Sequence, residues 1–465
     1  MRKVLFPVLL ISSLFIGSTT STATIADPWV SVLTYGAKGN GSTNDGTAIA
    51  SAIAACPTGG TVYFPATTSY YKVTSAIEVN KSITIRGGQY AQIRQTTSNT
   101  ELFQITASDV TITGLNLSGP QYTNQEFYER AISCEGPSGT SPISGIRIID
   151  NKISSEGMYG IYMVYTNDFL ITGNKITNIE YAGIAGMSVI RGQITDNNIT
   201  NVTDSSNAYG ITISHYQNPL ATDPLSEYVV VKGNVIKDVP SWEGLDAHGG
   251  IGLSFIGNTI INTNNAICIL DTNDGGSNYY PPLNIVVEGN VCDSTVTDGS
   301  RSFGIYFSGS TSTLLATGVI RGNTIQGHGT SNDSNSGGIR ANFTKGLVIS
   351  GNLIVQPALN GIVLYEYNDG CSILNNSIID CWGTEADTYC ICMSCSGNTG
   401  YNTAVVVGNV FTRLSKSAAY LANEGIWCYS GATGNGGKIG ENYSTISPFT
   451  MVDDSGGMLQ QTFSP

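Results

Sequence analysis

The chain has 465 residues, 41% of them hydrophobic and only 12% charged, with a net charge of −13. That balance excludes an intrinsically disordered chain, and so acidic a protein is excluded as a general nucleic-acid binder, whose phosphate contacts need Lys and Arg. Its length exceeds the roughly 100–200 residues usual for one domain, a limit that repeat architectures escape because each repeat packs only on its neighbours.

At the N-terminus, Arg2 and Lys3 precede the apolar run Val4–Gly17, and Thr24-Ile25-Ala26 offers a cleavage site before Asp27. Residues 1–26 therefore read as a signal peptide. No later run reaches the about 20 apolar residues that a membrane span needs. The expectation is a secreted, extracellular monomer with no membrane partner. The next segment is a strand at Val32–Tyr35, turn residues Gly36–Gly41, Asn44-Asp45 ahead of a helix over Ala48–Ala55, and a strand at Thr61–Pro65. This order predicts a cap whose helix closes the open end of a core.

Further on, a short pattern recurs: an apolar residue, a spacer, Gly or a similar residue, Asn, any residue, then Ile or Val. Its Asn falls at Asn151, Asn174, Asn197, Asn234, Asn258, Asn290, Asn323, Asn352, Asn376 and Asn409. Four of the intervals are 23 or 24 residues and the others are longer, the signature of a solenoid with loops inserted on some turns. The asparagines suit corners, because Asn tolerates left-handed backbone and can hydrogen-bond along a stack. Between them lies Gly-Ile or its equivalent, as at Gly160-Ile161, Gly210-Ile211, Gly244-Leu245, Ala266-Ile267, Gly304-Ile305 and Gly361-Ile362. The predicted fold is all-β, a single-stranded right-handed parallel β-helix with an N-terminal capping helix. It forms one domain over 27–465: cap and first strand to 66, coils over about 67–430, and a closing segment over 431–465.

The string VLTYGAKGNGSTNDGTAIASAIAACPTGGTVYFP, from Val32 to Pro65, closely resembles the opening segment of the pectate-lyase-like right-handed parallel β-helix superfamily. The following coils extend the likeness to nearly the whole chain. That superfamily includes polysaccharide lyases, glycoside hydrolases, uronan epimerases and phage tailspikes. The resemblance implies the fold and a polysaccharide partner, and it leaves the reaction open.

Alternation along the Gly-Ile strands sets a register. The inward positions are Ile211/Ile213, Leu245/Ala247, Ile267/Ile269, Ile305/Phe307 and Ile362/Leu364. The outward row then runs Tyr162, Ala185, Thr212, Asp246, Cys268, Tyr306, Arg340, Val363 and Trp427, each followed two residues on by a second outward position, among them His248, Tyr365 and Tyr429. A groove along this face is expected, with aromatic rings for sugars and a charged centre.

The centre is Ser241–Gly250. Asp246 and His248 lie two apart and share a face, and a carboxylate beside an imidazole favours its protonated form. With Glu243 beside them and Asp271 after the next strand, these four are the candidate catalytic residues. Tyr162, His215, Trp242, Tyr306, Arg340 and Tyr365 are the candidate substrate contacts. Gly244-Leu245-Asp246-Ala247-His248 also resembles the Gly-Phe-Asp-Pro-His element of alginate C-5 epimerases, and Asp271 sits near where that family places another active-site Asp. The family's Tyr three residues before the motif's Asp is Glu243 here, and its Lys has no clear counterpart. Gly327-His328-Gly329 resembles the Gly-His-Gly of polygalacturonases, without that family's paired Asp one coil earlier.

Two mechanisms compete. A lyase or epimerase would use His248 as base or acid, Asp246 to orient it, Tyr306 as a partner across the substrate, and Arg340 or a bound cation to neutralise a uronate carboxylate. A glycoside hydrolase would flank the bond with Asp246 and either Glu243 or Asp271. Asp-x-His places the lyase or epimerase first, and a non-catalytic glycan-binding adhesin stands third. No metal-ligand set is assigned, although Asp271, Asn273 and Asp274 could supply oxygens to Ca2+. The ten cysteines, six of them between Cys371 and Cys428, suit disulfides or stacked buried thiols.

Overall fold

The computed structural model describes residues 29–119, 129–154, 157–216, 223–274, 277–294, 301–330, 333, 335–383, 388–395, 401–414, 424–428, 436–446, 450–453 and 459–461. The predicted signal peptide and Tyr429 lie outside these residues. The chain winds as a parallel β-helix, in which each strand pairs in parallel with its equivalents one coil before and after. Three stacks result. One runs through Arg147–Ile149, Leu170–Thr172 and Gln193–Thr195. A second runs through Lys152–Ser154, Lys175–Ile179 and Asn198–Val202. The third carries Tyr159–Val164, Ala182–Met187, Tyr209–Ser214 and the C-terminal half of Val235–His248. All three continue through the described strands of the last segment, up to Leu459–Gln461.

The predicted inward positions are all in one continuous core. Burying each of the larger aliphatic side chains contributes roughly 1.5–3 kcal/mol. The cap differs in detail from its expectation. Val32–Tyr35 is a 3-10 turn, closed by Gly36 at φ 96°, and the strand lies just before it at Trp29–Ser31, paired with Thr61–Tyr63. A left-handed Gly ends the turn, so the chain cannot stay extended there. The helix spans Gly46–Ala55 and buries Ile49, Ala52 and Ile53 over the end of the core. Lys81 Nζ donates to the carbonyls of Ala54 (2.9 Å) and Cys56 (2.6 Å), capping the helix C-terminus.

The recurring asparagines form a buried ladder. From Asn174 onward each side-chain oxygen accepts from both the backbone N–H and the amide of the Asn one coil earlier, at 2.9–3.1 Å, while that of Asn151 accepts from the Leu115 N–H, and Asn442 adds an eleventh rung. The left-handed backbone is not theirs. It belongs to the residue before each one: Asp150, Gly173, Asp196, Gly233, Gly257, Gly289, Gly322, Gly351, Asn375 and Gly408 all have positive φ. The corner is thus divided between a residue that turns and an Asn that points inward and ties the coils together. All ten cysteines are buried thiols.

Candidate functional site

The outward row of the third stack has the expected order. In register it runs Ser133, Tyr162, Ala185, Thr212, Asp246, Cys268, Tyr306, Arg340, Val363, Cys392 and Trp427. Two corrections follow. A coil at Cys392 stands between Val363 and Trp427, missed because Cys390-Ile391 replaces Gly-Ile there. The row is also not an open groove along its length, since Tyr162, Ala185, Asp246, Cys268 and Val363 are buried.

The face is three side chains wide rather than two. The residue before each Gly also leaves the core: Tyr159, Ala182 and Tyr209 pack with Tyr162 and Ala185 outside it, and Tyr209 is the cross-strand partner of Glu243. Simple alternation would send Glu243 inward with Leu245, but the chain bends at Gly244. No larger residue fits that bend, because a Cβ on Gly244 would come within 2.5 Å of Ile260 and 2.9 Å of the Ala266 carbonyl. Glu243, Asp246 and His248 therefore stand abreast on one coil.

Their reactive atoms lie within 4.8 Å of one another. Asp246 is fully buried; its Oδ2 accepts from Thr212 Oγ1 at 2.6 Å, and its Oδ1 lies 3.4 Å from His248 Nε2. His248 Nδ1 sits 3.3 Å from the backbone carbonyl of Asp271. A carbonyl only accepts, so Nδ1 carries the hydrogen and Nε2 faces Asp246. Of the three side chains only His248 reaches solvent, at 33% exposure against 0% for Asp246. Burial, and then the charge of Asp246, push the Glu243 carboxyl up to about 9. At neutral pH it is a protonated acid beside a carboxylate. Cys268, on the next coil, is held well above the usual thiol range by burial and then by Glu243.

The raised Glu243 predicts a pH effect on stability. A carboxyl whose folded-state pKa lies above its unfolded value binds more protons when folded, so its contribution is full below about 4.5 and is lost as pH rises towards 9. Glu243→Gln removes that dependence. Its melting temperature should exceed that of the parent at pH 8 and converge with it near pH 4. Parallel melting curves for the two proteins across that range would contradict the assignment.

Aromatic side chains flank the centre on both sides. Towards the N-terminus, Tyr159 contacts Tyr162 and Tyr181, and Tyr181 contacts Tyr209, with ring centroids 5.0–5.4 Å apart. Arg130 lies 3.8 Å over the Tyr162 ring and pairs with Glu101 and Glu135. Burial, then the charge of Asp246, raises the phenols of Tyr181 and Tyr209, so both stay protonated. Towards the C-terminus, Arg340 packs on Phe303, Tyr306 and Tyr365, and Tyr389 stacks on Trp427 at 4.8 Å.

Residues 29–381 match the family described as rhamnogalacturonase A/epimerase, pectate lyase-like. The chain belongs to that family. No curated protein matches it by sequence. Among solved structures, the catalytic unit of a thermostable GH87 α-1,3-glucanase from Streptomyces thermodiastaticus is 15% identical with a TM-score of 0.56, over 93% of this chain and 71% of that one. The A-module of a mannuronan C-5 epimerase from Azotobacter vinelandii is 16% identical at 0.49, over 94% and 99%. Tailspike protein 3 of bacteriophage CBA120 is 12% identical at 0.49, over 94% and 61%. At these identities the structural likeness is one of fold.

This member of the rhamnogalacturonase A/epimerase family does not gather every residue singled out in its sequence. Arg340 is three coils from Asp246, roughly 14 Å at the usual strand spacing, and is held by Asp333 and Asn342. It is too far to neutralise a carboxylate whose sugar reacts at His248. Tyr306 is two coils away, and its hydroxyl accepts from Asn342 at 2.9 Å. Tyr365 lies a further coil beyond Arg340, and Tyr162 three coils to the other side of Asp246. His215 is buried, with Nδ1 3.4 Å from Thr272 Oγ1, so the two span the coil of His248 from either side. The Asp271 carboxylate accepts from Ser310, and Asp274 from Asn278. Trp242 is exposed beside the centre. His328 is fully buried off this face, and burial pushes it down to about 4, so the Gly-His-Gly string is no part of the centre. Tyr181, Tyr209 and Thr212 had no place among the candidates. The slot before each Gly was the signal for Tyr209, since it equates Tyr209 with Glu243.

Proposed function

We propose that the chain is an exported polysaccharide-active enzyme that moves a proton at Glu243, Asp246 and His248, acting as a lyase or C-5 epimerase on a uronic-acid-containing glycan. The observation that carries this reading is a buried carboxylate touching the one solvent-reaching imidazole in the middle of a long aromatic-flanked face. His248 exchanges the proton with the sugar, Asp246 orients it, and Thr212 holds Asp246. Tyr209, kept protonated, stands as an acid on the neighbouring coil. The glycan would lie along the face, with Trp242 as a platform at the centre and Arg130 and Arg340 beneath more distant sugars.

The same geometry speaks against Glu243 and Asp246 as a glycosidase pair. Retaining enzymes separate their carboxyl groups by about 5–5.5 Å and inverting ones by about 6.5–9.5 Å. Here the two lie side by side, one protonated because of the other, and neither reaches solvent. Hydrolysis of a neutral glycan keeps one point in its favour: among the described residues of the three rows, no Lys or Arg stands within two coils of His248.

Incubation with a panel of polysaccharides separates these readings. A rise in absorbance near 235 nm, the band of unsaturated uronates at about that wavelength, is expected alongside new reducing ends. Neither signal, with altered uronate stereochemistry, identifies the epimerase. Reducing ends without the absorbance would establish hydrolysis instead.

A further inference from the structure

We propose that Glu243, Asp246 and His248 form a binding site for one divalent transition-metal ion of the zinc class. Two oxygens point to a ligand here. Glu243 Oε2 and Asp246 Oδ1 are buried on side chains more than nine-tenths buried, and no donor of any other residue reaches either, so that only the proton on Glu243 lies between the two groups. Buried carboxyl oxygens are costly to leave without a partner, and a cation that displaces this one proton is a partner for both at once.

The spacing fits. One atom from each residue lies within 4.8 Å of the other two. An ion about 2.0–2.2 Å from each ligand holds pairs up to about 4.4 Å apart, so the side chains need to close by a few tenths of an ångström. The surrounding contacts are those of a metal centre. A ligating imidazole usually gives its other N–H to a carbonyl or carboxylate, and a ligating carboxylate is itself hydrogen-bonded. His248 Nδ1 faces the Asp271 carbonyl, and Thr212 holds Asp246 Oδ2. The facing groups on the flanking coils are Tyr181, Tyr209 and Cys268, none of which carries a positive charge that would compete with an ion.

The ligand set selects the ion. Ca2+ takes six to eight oxygens, whereas three ligands including an imidazole suit Zn2+, with a fourth position left for water or a sugar oxygen. Bound there, the ion occupies Nε2, the one His248 nitrogen that the Asp271 carbonyl leaves able to take a proton, so under the proposed function zinc inhibits; this consequence rests on the proposed function, and the site does not.

The test uses the whole protein, stripped with a chelator and titrated with ZnCl2 by calorimetry in the absence of glycan. One equivalent should bind, at least tenfold more weakly in Glu243→Gln and in His248→Gln, while CaCl2 gives no comparable heat. CoCl2 in place of zinc should give a visible spectrum without a thiolate charge-transfer band. Absence of binding, equal binding by both variants, or a thiolate band would overturn the site, the last by assigning the metal to the buried cysteines. Should Glu243→Gln fail to fold by circular dichroism, the partly exposed His248 still provides the comparison. A protein that binds zinc in this way but turns over no polysaccharide would defeat the enzymatic reading and leave the site standing.

Discussion

His248→Ala is expected to lower turnover of an accepted polysaccharide by about 10²–10⁴-fold, the span that a positioned acid–base group supplies. The ring is one-third exposed, so its loss should leave the fold intact. Asp246→Asn should cost a similar factor for a different reason. The amide keeps the volume and can still accept from Thr212, but it removes the charge that Nε2 faces. The pH profile of that variant should shift, whereas a merely structural Asp would leave the profile unchanged and lower only the amount of folded protein. Retention of more than a tenth of the parent rate in His248→Ala would remove His248 from the chemistry.

The largest expected loss of stability lies elsewhere, in the asparagine ladder. Asn352 Oδ1 accepts from the backbone N–H and the amide of Asn323, at 3.0 and 2.9 Å, and its own amide donates to the Ile320 carbonyl and to Asn376 Oδ1. Asn352→Ala deletes all four bonds in a place water does not reach. Each buried group left without a partner costs about 1–3 kcal/mol, so a loss of about 3–5 kcal/mol is expected. Asn198, exposed on the outside of a neighbouring stack, provides the control, because its replacement by Ala should fall within about 0.5 kcal/mol of the parent. Denaturation midpoints of the two variants check this. A loss below about 1 kcal/mol for Asn352→Ala would mean that strand pairing alone holds the coils.

Most of the fold was legible in the sequence because it repeats. Apolar pairs such as Ile211/Ile213 and Ile362/Leu364 recur with period two inside a longer repeat, and only a core along a solenoid axis asks for that pattern. The asparagines were legible as corner residues. Their role was misassigned by one position, since Asp, Gly and Asn all occupy the left-handed site before them and only Gly announces itself.

The candidate centre was legible in part. Asp246 and His248 follow from alternation, which tells which face a side chain takes. It does not tell what lies over that face, and so the burial of Asp246 and Tyr162 was not foreseen. Alternation also fails at Gly244, where the bend turns Glu243 out beside Asp246 and brings Tyr209 to it from the coil before. Tyr209, on the adjacent coil, is thus the phenol in register with the position three residues before Asp246. Arg340 is the opposite case: its row was right, but counting coils moves it roughly 14 Å from the chemistry.

Solvent deuterium is the most direct probe of the central claim. The protein would act in D2O on whichever glycan it accepts, and the recovered sugars would be read by NMR for deuterium on carbon. Proton transfer at His248, Asp246 and Glu243 predicts deuterium at the carbon beside the carboxylate, or an unsaturated residue in its place, in the parent and not in His248→Ala. Cleaved glycan with neither carbon-bound deuterium nor unsaturation would contradict it.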